Sequence, residues 1–381
     1  MNVQTPIDPT NDLVEQARRV LPGGSFGNMP AEVILKEGKG GRVWDESGKE
    51  YVDFLLGSGP MFVGHAHPEV TAAVQAQVPF GTTFFGNNRH GIALAQAIVD
   101  AVPCADQVRF VCSGTEADLY AMRAARAFRK RDKILKFEGG YHGMSDYALV
   151  SLAPKNPGNF PRGSIDSAGI PKSVADEMVV AAFNDIDMVR SLIEEQKDEL
   201  AGVIVEPFQR LIPPKPGFLQ ALREVTAKHG IPLIFDEVVT GFRFAYGGAQ
   251  EYYGVTPDLC TLGKIVGGGF ALAAIAGRAD IMAHFDRITM NDEDFIFQVG
   301  TLSGNPVASV AGLATLDILK RPGAYEQVFA TGRTLMDAEL SVAGLRDLVG
   351  RQQLFQLQQH PCCPQNRVFR LSSTRRGAPG M

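Results

Sequence analysis

Short apolar runs alternate with amphipathic stretches through the middle of the chain. The apolar runs have the length of strands and lie at residues 108–111, 133–137, 202–205 and 231–235, and the helical patterns lie at 118–130, 185–200 and 218–229. Apolar runs of this kind, bounded by glycine or polar residues, are typical of strands that are buried on both faces. Because strands and helices alternate, the sequence predicts an α/β fold with a doubly wound, mostly parallel sheet.

The beginning of the chain follows a different pattern. Residues 12–20 have apolar positions at helical spacing and end at a Pro-Gly-Gly sequence, which predicts a short helix. Three strand-like runs follow at 33–35, 42–44 and 51–54, and polar turns rich in glycine separate them. These runs predict a small antiparallel meander.

The composition changes abruptly from residue 341 onward. Helix and strand periodicity fades, and the segment has six arginines, no lysine and a single acid, Asp347. A shifted reading frame, a truncation or a basic interaction tail would produce such a change, and we favour the first. Because the tail lacks the apolar pattern of a packed segment, we expect its deletion to cost little stability.

These patterns predict three parts. They are an amino-terminal helix and small meander (1–60), a large α/β domain that carries the ligand site (61–320), and a carboxyl-terminal part with an aberrant basic tail (321–381).

Composition and charge exclude several classes of protein. The 381 residues are 45% hydrophobic and 21% charged, as in ordinary soluble proteins, and a net charge of −5 without a basic block in the body of the chain argues against a nucleic-acid partner. The amino terminus lacks the pattern of a signal or transit peptide, and no apolar run is long enough to span a membrane. Five cysteines, an odd number without metal-binding spacing, suit free thiols in a reducing compartment. We therefore expect a cytoplasmic protein that binds neither nucleic acid nor membranes.

Residues with reactive side chains lie at the carboxyl ends of the predicted strands. Asp236 follows the run 231–235, Glu206 follows the run 202–205, and Lys264 follows another short apolar run. Open α/β sheets bind ligands at this edge. Burial there favours a neutral lysine amine, which can condense with an aldehyde, and a nearby aspartate can keep a pyridine nitrogen protonated. The pair suits pyridoxal phosphate, although an ordinary acid and lysine in solvent would show the same pattern.

Two turns that contain glycine add to this edge. Ser113, Gly114 and Thr115 connect an apolar run to a helical pattern, so that free backbone N–H groups and two hydroxyls meet at the positive end of a helix. This arrangement predicts a phosphate site, but the same residues are also a common helix cap. Tyr141 and His142 lie between glycines, where an aromatic ring can stack on a flat heterocycle or the turn can be purely structural.

Two other motifs suggest different chemistry. Residues 23–27, Gly-Gly-Ser-Phe-Gly, match the Gly-x-Ser-x-Gly pattern of serine hydrolases, yet a predicted helix stands where that motif needs a strand. His65 and His67 could bind a metal, but no third ligand lies at a recognisable spacing, so we predict a turn that caps a helix from Glu69. A serine esterase that uses Ser25 is the alternative from a different class of enzyme.

Six motifs occur in a single order along the chain. They are Ser-Gly-Thr-Glu-Ala (113–117), Gly-Tyr-His-Gly (140–143), Val-Glu-Pro (205–207), Phe-Asp-Glu-Val-Val-Thr-Gly-Phe-Arg (235–243), Leu-Gly-Lys (262–264) and Gly-Thr-Leu-Ser-Gly-Asn-Pro (300–306). In this order they resemble the class III aminotransferases, and within that family most closely the glutamate semialdehyde aminomutases. The resemblance implies the type I fold of pyridoxal-phosphate-dependent transferases and amino-group transfer to or from a small amine or amino acid. It also implies a homodimer with shared active sites. Members of the family continue with a small second domain, of which residues 321–381 would be a truncated remnant.

The resemblance implies roles for the residues at the strand ends. Lys264 would be the Schiff-base lysine, and Asp236 would be the partner of the pyridine nitrogen. Gly114 and Thr115, together with Ser113 in the same turn, would hold the phosphate of the cofactor.

The resemblance implies further contacts to the ring of the cofactor. Tyr141 would cover the ring with His142 beside it, Val238 would lie under the ring, and Glu206 would lie near its hydroxyl group. Thr301 would reach the phosphate of the cofactor in the neighbouring subunit.

The chain departs from the aminomutases on the substrate side. In those enzymes the loop after Pro-Gly-Gly has an arginine that receives the substrate carboxylate, whereas residues 25–30 contain none. Because an arginine fork is the usual partner of a carboxylate, we expect an apolar amine or β-amino acid to be a better substrate than glutamate semialdehyde. Arg210 could supply a carboxylate partner from another side. If the second domain is incomplete, a cofactor-binding protein with weak catalysis is a third hypothesis.

Overall fold

The computed structural model describes residues 9–27 and 33–341. The predicted basic tail at 342–381 lies outside the described residues, and so do residues 28–30 of the loop that lacks arginine. No helix in the described ranges is both long and apolar enough to cross a membrane.

The regular elements follow one another with short connections over most of the chain. The strands are β1 (Leu35–Lys39), β2 (Arg42–Asp45), β3 (Glu50–Val52), β4 (Gln107–Val111), β5 (Lys133–Phe137), β6 (Met178–Ala181), β7 (Leu200–Val205), β8 (Leu233–Glu237), β9 (Leu259–Leu262) and β10 (Ala273–Gly277). The helices are α1 (Pro9–Val20), α2 (Pro68–Gln77), α3 (Arg89–Ala101), α4 (Gly114–Arg129), α5 (Lys172–Asp176), α6 (Ile186–Gln196), α7 (Phe218–Lys228), α8 (Gly248–Tyr253), α9 (Ala279–Met282), α10 (Pro306–Leu319) and α11 (Ala324–Ser341).

Element boundaries differ from the sequence prediction at a few points. The helix predicted over 185–200 ends at Gln196, and Leu200 is already the first residue of β7, where it pairs with Lys133 and is fully buried. The helix that contains the pattern 118–130 begins at the Ser-Gly-Thr turn, as predicted, with Ser113 as its cap and Gly114 as its first residue. The predicted meander is an antiparallel sheet of β1, β2 and β3 that begins at Leu35.

Seven strands form the central sheet, in the order β4-β10-β9-β8-β7-β5-β6. Neighbours from β9 to β6 pair in parallel, whereas β10 is antiparallel to both β4 and β9. Since two antiparallel pairings restore the direction, β4 runs parallel to β9. The carboxyl ends of β4, β5, β7, β8 and β9 therefore meet at one edge of the sheet, as the sequence predicts.

Alternation along the strands gives the sheet two apolar faces. Val203, Val205 and Phe235 pack on one face against α3, α6, α7 and α10. Ile204 and Ile234 point to the opposite face and pack against α4 and α9. Successive side chains of a strand point to opposite faces, so continuous apolar runs are needed to fill both layers. The fold is thus doubly wound, and it exposes the carboxyl edge between the two helical layers.

Candidate active site

A cavity of about 340 Å³ opens at the carboxyl edge of the sheet. Its walls come from the segments that follow five parallel strands and from the connection between β9 and β10. The lining residues are Pro60, Cys112, Ser113, Gly114, Thr115, Asp118, Tyr141, Gly143, Glu206, Asp236, Val238, Val239, Lys264, Gly269, Phe270, Ala271 and Leu272. The structure therefore brings eight of the ten predicted site residues to one cavity, with His142 directly behind it and Thr301 elsewhere.

Lys264 lies in a tight turn directly after β9. Its backbone has a φ of +50°, in the left-handed region that residues with a side chain rarely adopt. Burial lowers the pKa of the Lys264 amine, and the nearby Arg243 guanidinium lowers it further, against the opposing charge of Asp236. Strained backbone of this kind clusters at functional sites, where the surrounding structure holds it. The lowered pKa leaves more of the amine in the neutral, nucleophilic form.

Asp236 is held at the end of β8 by two donors. Its Oδ2 lies 2.8 Å from Nδ1 of His142, and its Oδ1 accepts the backbone N–H of Val238 at 3.1 Å. Both side chains of the Asp236–His142 pair are almost completely buried. Burial lowers the pKa of His142, while the bond to Asp236 opposes that effect, so the imidazole is neutral and its Nδ1–H donates to the carboxylate. His142 thus orients Asp236 from behind and does not line the cavity.

The turn between β4 and α4 has the features of a phosphate site. Ser113 Oγ accepts the N–H of Glu116 at 3.2 Å, and the Glu116 side chain accepts the N–H of Ser113 at 3.0 Å, which completes a capping box. Thr115 Oγ1 accepts the N–H of Met144 at 3.2 Å. Both hydroxyls accept one bond and keep a proton to donate. The first N–H groups of α4 also have no partner within the helix, so the turn can bind an anion.

Glycines make the floor of the cavity tight. A Cβ atom on Gly114 would lie 2.9 Å from Cγ1 of Val238, and one on Gly263 would lie 3.1 Å from the same atom. A Cβ atom on Gly143 would lie 2.5 Å from Cα of Thr115. Val238 therefore fills the space between the anion-binding turn and the turn of Lys264.

One wall combines an aromatic ring with a buried acid. The backbone N–H of Tyr141 donates to Oε2 of Glu206 at 2.9 Å, and Arg210 lies over the Tyr141 ring with its guanidinium carbon 4.9 Å from the ring centroid. Burial, followed by the negative charge of Asp236, raises the pKa of Glu206 to about 8. Glu206 is therefore largely protonated near pH 7 and can donate a hydrogen bond into the cavity.

These groups together fit pyridoxal phosphate. The hydroxyls and N–H groups at the start of α4 suit its phosphate, Asp236 suits a protonated pyridine nitrogen, and the Lys264 amine suits its aldehyde. The close contacts of Gly114 and Gly143 keep the backbone near enough for such a ligand, because larger residues would push the turns apart.

Two predicted features lie outside the cavity. Thr301 is exposed to solvent and contributes nothing to the cavity wall of this chain. Ser25 follows α1 and a one-turn helix (Pro22–Gly24), and its Oγ accepts the N–H of Gly27 at 3.1 Å. A nucleophile elbow needs a strand before the serine, so the hydrolase alternative has no support here.

Sequence reasoning missed two charged residues at the site. Asp118 lines the cavity from the buried face of α4, and its presence among the buried residues Ala117, Ala121 and Met122 of that helix was the available signal. Arg243 is half-buried near Lys264 and donates to the carbonyl oxygens of Gly59 and Val239 at 2.6 and 2.7 Å. Arg243 belongs to a motif identified from the sequence, but only the folded chain shows which charge it approaches.

Comparisons with known proteins agree with the geometry. A sequence model of the family aminotransferase class-III matches residues 25–350. Glutamate-1-semialdehyde 2,1-aminomutase of Citrifermentans bemidjiense is 44% identical over 328 residues, which are 83% of this chain and 74% of that protein. An omega-transaminase from Sphaerobacter thermophilus has a crystal structure that is 42% identical, with a TM-score of 0.81 over 87% of this chain and 77% of that chain. A β-phenylalanine aminotransferase from Variovorax paradoxus is 34% identical, with a TM-score of 0.74 over 86% of this chain and 72% of that chain.

The predicted family, fold class and cofactor are thereby confirmed. A match over most of the chain, together with relatives at this level of identity, shows that the chain belongs to the class III aminotransferases, enzymes of the type I fold that transfer amino groups with pyridoxal phosphate.

Proposed function

We propose that this chain is a transaminase for apolar amines or β-amino acids. The observation that carries the proposal is the composition of the cavity wall. Within the described ranges that wall contains no arginine, while Pro60, Phe270, Ala271 and Leu272 give it an apolar surface. A substrate carboxylate would find no guanidinium fork there, whereas an apolar group would be shielded from water.

Two arginines beside the cavity have partners within the protein. The Arg243 guanidinium donates to two backbone carbonyl oxygens, and its central carbon lies 5.0 Å from the centroid of the Phe62 ring. Arg210 lies over Tyr141, and its Nε is 3.5 Å from the carbonyl oxygen of Gly139. The name of the β-phenylalanine aminotransferase agrees with a substrate that has an apolar group, whereas the name of the aminomutase does not.

Different residues of the cavity would bind different parts of the cofactor. Lys264 would hold its aldehyde carbon, Asp236 would face its ring nitrogen, and the start of α4, with Ser113, Gly114 and Thr115, would hold its phosphate. When bound, pyridoxal phosphate serves as an electron sink for charge that develops next to the amino group.

The side chains of the cavity would then control protons and water. Nζ of Lys264, with its lowered pKa, would move the proton to and from the carbon that bears the amino group. The protonated carboxyl of Glu206 would donate to the oxygen of the hydroxyl group attached to the ring. Tyr141 and Val238 would cover the two faces of the ring. His142 would keep the Asp236 carboxylate in place.

We also infer a homodimer in the cytoplasm. Phe80, Phe84 and Phe85 expose 78%, 54% and 70% of their surface within one short segment, and an exposed apolar patch of this kind marks a protein contact. The exposed Thr301 would then be available to the site of the partner. The free thiols of the described cysteines suit a reducing compartment.

The substrate assignment is tested by steady-state rates. We expect an apolar amine without a carboxylate, such as 1-phenylethylamine, to give a higher kcat/KM than glutamate semialdehyde, by about tenfold to a hundredfold, because a missing charge-assisted pair to the carboxylate costs about 1.5–3 kcal/mol. The Arg210→Ala variant, measured beside the wild type, should leave that ratio little changed. Efficient turnover of glutamate semialdehyde that survives Arg210→Ala would contradict the proposal, and its loss in that variant would assign the carboxylate to Arg210.

A further inference from the structure

Asp118 is a buried acid to which the roles above assign nothing. It lies on α4 shortly after the anion-binding turn, exposes 2% of its surface and forms part of the cavity wall. One of its carboxylate oxygens, one of Asp236 and a ring nitrogen of His142 lie within 4.8 Å of one another. Two acids are therefore buried side by side at the floor of the site.

The hydrogen bonds around the two acids are unequal. Thr261 Oγ1 lies 2.6 Å from Oδ1 of Asp118 and 3.4 Å from Oδ1 of Asp236, so its single proton is donated to Asp118. Asp236 accepts instead from the imidazole N–H of His142 and from the backbone N–H of Val238. The described residues thus offer two strong donors to Asp236 and one to Asp118.

This arrangement places one proton in the pair. Two carboxylates this close in a buried site cannot both be charged at low cost. Donors that stabilise a carboxylate converge on Asp236, so the proton belongs on Asp118. Burial, followed by the negative charge of Asp236, raises the pKa of Asp118 well above its usual range, in agreement with the count of donors.

We propose that Asp118 is a positioning residue that stays protonated beside Asp236 in the working enzyme, so that the floor of the site has one negative charge and not two. The proposal rests on the assignment of Asp236 to the ring nitrogen in the proposed function. One carboxylate balances the single positive charge of a protonated pyridine nitrogen. A second carboxylate would have no partner there, because Thr261 is the only donor that the described residues aim at Asp118.

Other titratable groups face Asp118 and limit which experiment is decisive. They are Asp236 on β8, Glu206 after β7, Lys264 after β9, and Tyr141 and His142 after β5. Because the pKa of Glu206 is itself raised to about 8, an alkaline change in rate would not identify Asp118. A signal that belongs to one carboxyl group is needed.

Infrared difference spectroscopy of the cofactor-loaded enzyme supplies that signal, since the C=O stretch of a protonated carboxyl differs from those of carboxylates and amides. Near neutral pH the difference between wild type and Asp118→Asn should show the loss of one protonated-carboxyl band. The Glu206→Gln variant should lose a different band and serves as the matched control. If Asp118→Asn removes no such band, Asp118 is ionised and the proposal is wrong.

A second variant covers the case in which Asp118→Asn does not fold. Thr261→Val keeps the shape of the threonine but removes its hydroxyl, so the same protonated-carboxyl band should persist at a shifted frequency. A band at the wild-type frequency would overturn the proposal. The assignment of Asp236 is read separately, because it fails if Asp236→Asn leaves the visible spectrum of the bound cofactor unchanged.

Discussion

At the scale of single residues, Lys136 and Lys264 show that a lowered pKa and access to the cavity are separate properties. Lys264 and Lys136 both have a lowered pKa because of burial, which brings that of Lys136 to about 8. Nζ of Lys136, however, donates to the carbonyl oxygens of Ala148 and Val150 at 2.7 Å each, and it lines no part of the cavity. Only the Lys264 amine faces the space in which the cofactor would bind. A low pKa alone would not distinguish the two residues.

We therefore expect Lys264→Ala to abolish covalent attachment of the cofactor, while Lys136→Met retains it. The reason is access, because the Lys136 amine is tied to two carbonyl oxygens within the protein. Reduction with borohydride followed by peptide mapping measures the attachment site. A phosphopyridoxyl group on any lysine other than Lys264 would falsify the assignment.

At the scale of elements, the end of β8 serves both faces of the sheet. Asp236 points to the α4 side and enters the cavity, and the next residue, Glu237, points to the other side, where its Oε2 accepts the N–H of Ala249 at 2.6 Å. Glu237 is fully buried, its Oε1 has no hydrogen-bond partner among the described residues, and burial raises its pKa to about 7. The strand therefore ends in two acids with different roles. Asp236 lines the cavity, and Glu237 stabilises the start of α8.

The protonation of Glu237 links stability to pH. Its folded-state pKa of about 7 is above the ordinary value of 4.5, so the folded state keeps a proton that the unfolded state has lost. The raised pKa therefore adds to the free energy of unfolding. This added stability is fully present below about pH 4.5 and is lost as the pH rises through about 7. The loss amounts to about 3 kcal/mol at most.

Glu237→Gln should flatten that dependence, because an amide cannot ionise. We expect the melting temperature of the variant, relative to wild type, to rise between pH 5 and pH 8.5, on the order of a few degrees. Thermal unfolding of both proteins across this range is the measurement, and Glu199→Gln on the surface is the control. A difference between variant and wild type that is the same at every pH would show that Glu237 does not titrate in this range.

The sequence predicts the buried strands and the residues at their ends, but it does not predict every residue of the site or every helix end. Buried strands such as β5 and β8 could be placed because continuous apolar runs between polar turns have few other structures, and the strand-end residues Asp236 and Lys264 follow from them. Asp118 could not be found, because the exposed or buried state of a helical position depends on which layer packs against it. The end of α6 was placed too late, since the turn before β7 has no glycine or proline to mark it.

At the scale of the whole molecule, the proposed homodimer needs a contact surface, and one exposed apolar segment is the candidate. Phe80, Phe84 and Phe85 lie on the connection between α2 and α3, away from the two core layers of the sheet. Thr301, predicted to reach the cofactor of a partner, is exposed as that role requires. The three-part division of the chain stays a prediction, as its last part lies largely outside the described residues.

We expect Phe80→Glu combined with Phe84→Glu to convert a dimer into a monomer and to weaken cofactor binding, because burying two charges in an apolar contact is costly. Ile288→Glu is the matched control: Ile288 is 94% exposed and lies in the segment after α9, in which Asp294 pairs with Lys130 at 2.9 Å. Sedimentation velocity gives the mass of each variant. A double variant that sediments like the wild type would rule out this segment as the dimer contact.

The reversed strand β10 has a consequence for how such an enzyme can change. Because β10 runs against its neighbours, the chain leaves β9 and re-enters the sheet at the same edge, with Ala273 beside Val111 and Ala274 beside Leu262. Lys264 thus lies between two stretches of paired backbone, whereas the described residues 21–27 around Ser25 pair with neither sheet. The resemblance implies that residues 23–30 face the substrate, and changes there would leave the backbone pairing around Lys264 intact, which makes them the natural target for a library that seeks new amine donors.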